Sequence, residues 1–210
     1  MTTFFLVRHG ETEWNVERRI QGWADSPLTS VGRAQAEVHG RLLATLGINR
    51  VLASPLGRTK QTVAPIVRET KVAAEYDARL REVCMGEWSG RTSREIQSCY
   101  AEQWQARLDD PEGYRPPNGE NRFDVSRRVA PLLVELNDAP QHDQVVLVSH
   151  GITIRVLLEL LLGYSDETTR TLRVPNDLVY CVELGSANPA VRHYVSGEGP
   201  FEGLFISERE

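Results

Sequence analysis

Two histidines in this chain stand in nearly the same local sequence. Leu6-Val7-Arg8-His9-Gly10 and Leu147-Val148-Ser149-His150-Gly151 each close an apolar run with an imidazole and follow it with a glycine. Neutral imidazole, whose ordinary pKa is about 6.5, is nucleophilic at physiological pH, and its ring nitrogen makes a labile covalent intermediate that splits one displacement into two. Arg8, and Arg58 in Ser54-Pro55-Leu56-Gly57-Arg58, add planar guanidinium forks that can each hold two anionic oxygens at once. One histidine alone at a strand end is more often a hydrogen-bonded structural residue. Two of them with two arginines describe an anion site. The glycine after each histidine has two readings, close backbone approach to a ligand or a plain tight turn.

These residues share a site only if the elements carrying them converge. Short apolar runs at 3–7, 51–54 and 145–149 predict strands, and stretches at 29–46, from Pro55 to about 68, and 152–162 predict helices, the first and last closed by Gly47 and Gly163. Further helical segments at 92–108 and 121–137 flank a loop at 110–120 rich in Pro, Gly and Asp, and late strands at 179–184 and 191–195 suggest a hairpin across 185–189. The alternation predicts an α/β fold with a mostly parallel sheet. In such sheets ligands bind outside the carboxyl ends of the strands, where His9, His150 and Arg58 would face one crevice. His39, His142 and His193 lack that context and are expected to be structural.

Composition narrows the function class. With 210 residues, 40% hydrophobic and 25% charged, the chain supports one core, hence a single domain over 1–210. No window reaches the roughly 20 apolar residues of a membrane span, and no secretory leader is visible, so a cytoplasmic protein is expected. Cys84, Cys99 and Cys181 are odd in number and widely spaced, which suggests neither a disulfide framework nor a zinc ribbon. A net charge of -5 argues against nucleic acid as a partner while leaving room for a small anion held by a few arginines.

Longer blocks extend these motifs. Arg8-His9-Gly10-Glu11-Thr12-Glu13-Trp14-Asn15 is followed by Gln21-Gly22-Trp23-Ala24-Asp25-Ser26-Pro27-Leu28-Thr29, by Ser54-Pro55-Leu56 with Arg58-Thr59 and Gln61-Thr62, by Leu80-Arg81-Glu82 with Gly86-Glu87-Trp88-Ser89-Gly90, and by Val148-Ser149-His150-Gly151. Together, in this order, they resemble the signature of the histidine phosphatase superfamily, which also contains the phosphoglycerate mutases. The resemblance implies a three-layer α/β/α sandwich of the phosphoglycerate mutase-like kind. It implies that His9 attacks phosphorus, that Arg8, Arg58 and His150 surround the phosphoryl oxygens, and that Glu82 is the acid and base. Asn15, Gln21, Gly22 and Gly151 would contact substrate. No cofactor and no metal is implied, and the substrate is a small phosphate ester.

The superfamily divides by whether water or a second substrate receives the phosphoryl group. The segment from Val83 to Thr92 lacks the long basic, tyrosine-containing stretch of the cofactor-dependent mutases and is similar to the broad-specificity and α-ribazole phosphate phosphatases. Pro116-Pro117-Asn118-Gly119-Glu120-Asn121 resembles their Pro-Gly-Gly-Glu-Ser block, with Asn118 and Asn121 in place of Gly and Ser. A phosphatase is therefore expected, with mutase-type phosphoryl transfer or a non-catalytic phosphate-binding module as the alternatives, and with an insertion or lid over 85–121. The tail over 197–210, carrying Phe201, Leu204 and Phe205, is expected to fray or to pack on a partner, and a homodimer through it or through a sheet edge is a further expectation.

Overall fold

A computed structural model describes residues 2–138, 143–164, 172–185 and 189–205. Strands β1 (Thr3–Arg8), β2 (Arg50–Ala53), β3 (Ala74–Tyr76), β4 (Gln144–Ser149), β5 (Leu178–Glu183), β6 (Ala190–Val195) and β7 (Glu198–Glu202) form one sheet in the order β3-β2-β4-β1-β5-β6-β7. Helices α1 (Glu13–Val16), α2 (Ser30–Ala44), α3 (Gly57–Thr70), α4 (Ser93–Cys99), α5 (Ala101–Asp109), α6 (Arg122–Asn137) and α7 (Gly151–Leu162) complete the fold. No helix among the described residues is long and apolar enough to cross a membrane.

The central strands read as continuous apolar runs because both faces of the sheet are covered. Successive residues go to opposite sides: Phe4, Leu6, Val145 and Leu147 join a core with Val125, Val129, Ile154 and Leu157 of α6 and α7. Phe5, Val7, Val146 and Val148 join another with Leu43 of α2 and Val63 and Ile66 of α3. Burying each such side chain contributes about 1.5–3 kcal/mol. A one-residue slip of β1 would exchange the two sets and clash with both.

The expectation of a mostly parallel sheet holds for only half of it. β3, β2, β4 and β1 run parallel, whereas β5 pairs antiparallel with β1, β6 with β5 and β7 with β6. The reason lies in the connections: only a few residues join β5 to β6 and β6 to β7, and a parallel neighbour needs a crossover of roughly a dozen or more. The anticipated hairpin is therefore present, although residues 186–188 of its turn lie outside the described residues. β7 was not anticipated, since Glu-Gly-Pro-Phe-Glu shows no apolar alternation and every residue of it is exposed. Of the tail, residues 206–210 lie outside the described residues, while Leu204 and Phe205 pack against the core beside β6.

The single helix expected over 92–108 is two. Tyr100 leaves the helical region (φ -137°, ψ 47°), and behind that bend Trp104 comes within 6.0 Å of the Trp88 ring, centroid to centroid, while Tyr114 stacks at 5.4 Å. Trp88 itself is fully buried. This aromatic cluster anchors the segment between β3 and α6 against the sheet, and Tyr114 lines a cavity there.

Candidate active site

Three parallel strands end side by side, and each delivers part of the site. In the register of β1 with β4, Arg8 pairs with Ser149, so His9 and His150 leave neighbouring strands at the same level. The His9 amide still donates to the Ser149 carbonyl at 3.1 Å, and the Ser54 amide beyond β2 donates to Val148 at 2.9 Å. The imidazole centroids are 5.2 Å apart with planes tilted by 57°. His9, Arg8, Arg58, Glu82, Asn15, Gln21 and Gly22 line one cavity of about 210 Å³.

His9 is held by its own turn. Its Nδ1 lies 2.8 Å from the Gly10 carbonyl, which can only accept, so Nδ1 carries the proton and Nε2 carries a lone pair. Nε2 has no protein partner among the described residues. Burial, then the positive charges of Arg8 and Arg58, holds the His9 pKa well below the ordinary histidine value. His9 is thus neutral, with its free nitrogen in a cationic surround. The pKa of His150 is held well below the usual value by burial, Arg58 and His9. His150 is anchored the other way round: Nε2 is 2.8 Å from Ser54 Oγ, while its buried Nδ1 has no partner.

Each arginine is fixed by carbonyls on one side. Arg8 donates through Nη1 to Val174 O at 2.6 Å. Arg58, 1% exposed, donates to Ala24 O and Gly22 O, both at 2.8 Å, and pairs with Asp25 at 3.2 Å. Both buried Nε groups lack an acceptor. Asp25 also caps α3, accepting from the Gly57 amide and from the Arg58 amide at 3.1 Å, and so completes a helix whose own N-cap, Leu56, cannot.

Glu82 does for α7 what Asp25 does for α3. Its Oε1 accepts from the amides of Val83 (3.0 Å) and Thr153 (3.2 Å) and from Thr153 Oγ1 (3.2 Å), and its Oε2 accepts from the Ile152 amide at 3.2 Å. The carboxylate is thereby set at the mouth of the cavity, beside Arg8 and Gly151.

The remaining expected residues form the rim. Asn15 closes a capping box in which its Oδ1 accepts from the Thr12 amide at 3.0 Å, leaving its NH₂ without a protein acceptor among the described residues. Gln21 donates through Nε2 to Thr12 Oγ1 at 2.8 Å and keeps a buried, unpaired Oε1. Gly22, at φ +55°, turns its carbonyl to Arg58. The two glycines after the histidines differ. A Cβ on Gly10 would stand 2.2 Å from Gly32 O, so this glycine serves the packing of α2 against the turn, whereas a Cβ on Gly151 would meet only the Arg8 side chain at 3.7 Å.

Both departures in the Pro-Gly loop keep backbone roles. Asn118 adopts φ +58°, a conformation that asparagine tolerates better than most side chains, and Asn121 is the N-cap of α6 in a capping box with Asp124. Arg81 has no ion pair among the described residues and stacks on Trp23, 4.9 Å from the ring centroid. His39 and His193 bond to the Asn176 and Gly203 carbonyls; His142 lies outside the described residues. Among the described residues no group of three or more His, Cys, Asp or Glu side chains is placed to hold a metal ion.

Sequence reading missed several supporting groups. Asn176 donates to the His9 carbonyl at 2.7 Å, and Val174 receives Arg8, yet both come from a loop 165 or more positions away with no motif to mark it. Ser54, Asp25 and Thr153 lay inside or beside motif blocks. Their partners were invisible because these contacts depend on how loops from different strands meet.

Known proteins are similar to this chain in sequence and in fold. Residues 4–196 match the model of the histidine phosphatase superfamily (branch 1). The "Probable phosphoglycerate mutase GpmB" of Salmonella arizonae is 40% identical over 179 residues, 84% of this chain and 82% of that protein. The α-ribazole phosphatase of Shigella flexneri superposes with a TM-score of 0.85 at 25% identity, covering 98% of this chain and all of that one. A mycobacterial glucosyl-3-phosphoglycerate phosphatase in complex with VO3 superposes with a TM-score of 0.76 at 29% identity, covering 86% and 90%. With its family signature spanning nearly the whole length, the chain belongs to branch 1 of the histidine phosphatase superfamily.

Proposed function

We propose that the protein hydrolyses small phosphate monoesters through a phosphohistidine on His9, without a metal ion. The observation that carries this reading is the His9 imidazole itself: Nδ1 is pinned to the Gly10 carbonyl and Nε2 is free in a pocket walled by Arg8 and Arg58. The Nε2 lone pair attacks phosphorus as the bond to the alcohol oxygen breaks. Glu82 delivers a proton to that oxygen, then takes one from water; the resulting hydroxide displaces Nε2 and returns His9 to its neutral form. Arg8, Arg58, the His150 ring and the free Asn15 amide hold the equatorial oxygens, where charge spreads in the transition state. In this reading the arginines supply the positive charge that a metal ion provides elsewhere.

Water rather than a second substrate is the acceptor. The structures that this chain resembles include proteins named as phosphatases, and the turn after Glu82 enters a short 3₁₀ segment, Gly86–Trp88, rather than a long basic arm. The relatives named as phosphoglycerate mutases favour the alternative, phosphoryl transfer to a bound phosphoglycerate. Residues 85–121 act as the lid or specificity wall in either case, because Met85, Arg107, Tyr114 and Pro116 line a second cavity of about 240 Å³ that adjoins the first.

Phosphate release from p-nitrophenyl phosphate in excess EDTA tests the reading. Activity that persists in EDTA, together with a loss in Glu82→Gln of about 10²-fold or more for alkyl phosphates but far less for aryl phosphates, is the expected result. Activity abolished by EDTA, or equal losses on both ester types, would contradict it.

A further inference from the structure

The tautomer of His9 depends on where one carbonyl points. Gly10 O accepts from His9 Nδ1, yet glycine restrains its own backbone less than any other residue. A Cβ at this position is excluded by Gly32, so a stiffer residue cannot hold the turn. The restraint comes instead from side chains on other elements. In the His9–Gly10 peptide the carbonyl accepts from Asn176 Nδ2 at 2.7 Å, and the amide donates to Thr62 Oγ1 of α3 at 3.0 Å. In the next peptide, whose carbonyl is the one His9 Nδ1 uses, the Glu11 amide donates to Gln35 Oε1 of α2 at 2.9 Å. Both peptide planes around Gly10 are therefore clamped from outside the turn.

The clamps are themselves anchored. Gly32, Gln35 and His39 recur at helical spacing and share one face of α2. His39 is fully buried and donates through Nε2 to the Asn176 carbonyl at 2.9 Å, since a carbonyl can only accept. One turn of α2 thus carries the Gln35 clamp and the anchor of the Asn176 clamp. On its other side Asn176 continues an irregular segment in which Leu172 and Val174 are buried in the core, while Arg173 lines the cavity beside Arg8 and Glu82. The Leu172 and Val174 carbonyls accept from Arg155 and Arg8.

We propose that Asn176 and Gln35 are positioning residues for the nucleophile: they hold the two peptide planes around Gly10, keep its carbonyl on Nδ1, and so keep the Nε2 lone pair directed at phosphorus. The inference rests on the phosphatase reading for what Nε2 does, but not for the tautomer. The two amide side chains work in opposite senses. Asn176 must present its NH₂ to a carbonyl, whereas Gln35 must present its oxygen to a backbone N–H. An amide-to-acid exchange, nearly unchanged in shape, therefore destroys the first contact and preserves the second. At Asn176 it sets a carboxylate against the His9 carbonyl.

The test compares Asn176→Asp and Asn176→Ala with Gln35→Glu and Gln35→Leu, by steady-state and single-turnover kinetics on p-nitrophenyl phosphate. Misplacing a reacting atom costs up to about 10²-fold, so kcat and the rate of phosphoenzyme formation should fall about 10- to 10²-fold in both Asn176 variants and in Gln35→Leu. Gln35→Glu should recover most of that loss. KM and inhibition by vanadate should change by less than about threefold, because Arg8 and Arg58 keep their own carbonyl anchors. Long-range ¹H–¹⁵N NMR of the imidazole nitrogens reads the same contacts without substrate. Wild type should show His9 protonated at Nδ1 alone, and Asn176→Asp a mixture with the Nε2-protonated tautomer. If Asn176→Asp does not fold, Asn176→Ala carries the same two readouts. Equal losses in Gln35→Glu and Gln35→Leu, a recovery in Asn176→Asp relative to Asn176→Ala, or a His9 tautomer unmoved in every Asn176 variant would overturn the inference. If wild type hydrolyses no ester, the phosphatase reading fails separately, and the tautomer decides the inference by itself.

Discussion

His9-Gly10 and His150-Gly151 look interchangeable in sequence and are opposites in the structure. At the end of β1 the imidazole is tied through Nδ1 to a carbonyl and leaves Nε2 for chemistry; at the end of β4 it is tied through Nε2 to Ser54 and leaves a buried Nδ1 unpaired. Gly10 is locked against the backbone of Gly32, while Gly151 has ordinary clearance. The difference originates in the path of the chain beyond each strand. β1 runs into an irregular turn whose carbonyl can bend back to its own histidine, whereas β4 runs straight into α7, whose carbonyls are committed to helical bonds, so His150 must find its anchor on the neighbouring strand end. A shared five-residue pattern thus yields two imidazoles anchored through opposite ring nitrogens.

The strongest way to break this comparison is to remove each imidazole in turn. His9→Ala should lower turnover on the order of 10³-fold or more, with no covalent intermediate, while His150→Ala should lower it by roughly 10²-fold and still form the intermediate slowly. Single-turnover kinetics with alkaline quench separates the two; the same deficit and the same absence of intermediate in both variants would erase the distinction.

The glycines sharpen it at the level of folding. Gly10→Ala forces a methyl into backbone atoms that cannot move as a side chain can, and should cost about 1–3 kcal/mol in urea denaturation. Gly151→Ala, which meets only the flexible Arg8 side chain, should change stability by less than about 0.5 kcal/mol. Reversed magnitudes would mean that close packing is the wrong account of Gly10.

The smallest effect is one the two histidines share. Burial depresses the pKa of both, and of His39, so below about pH 6.5 the unfolded chain takes up protons that the folded protein excludes. Stability from this source is complete above that pH and is lost as pH falls, by up to about 1.4 kcal/mol per unit for each histidine. The melting temperature should accordingly drop between pH 7 and pH 5, and His150→Gln should flatten that limb. A limb of unchanged slope in the variant would exclude His150 as a contributor.

The sequence showed the centre of the site more fully than its periphery. His9, Arg8, Arg58, Glu82 and His150 sit in short motifs at strand ends and helix starts, where local pattern and backbone geometry coincide, and β1, β2 and β4 announced themselves as apolar runs. The antiparallel half was harder to read because strand direction depends on the length and path of connections; β7 in particular carries no alternation. Arg155, Arg173 and Asn176 lie outside the motif blocks. They reach the site because α7 and the segment before β5 fold over the same sheet edge, which is a tertiary fact with no local signature. Asn118 and Asn121 were legible as departures, but only their dihedral angle and cap geometry reveal why asparagine suffices there.

The central claim is that Nε2 of His9 carries the phosphoryl group. Acid-free rapid quench of the wild-type enzyme during turnover, followed by ³¹P NMR and peptide mass spectrometry under alkaline conditions, reads it directly. The account predicts a phosphoramidate on the peptide containing His9, substituted at Nε2 and absent in His9→Ala. Phosphate on His150, or an intermediate on Nδ1 of His9, would contradict it.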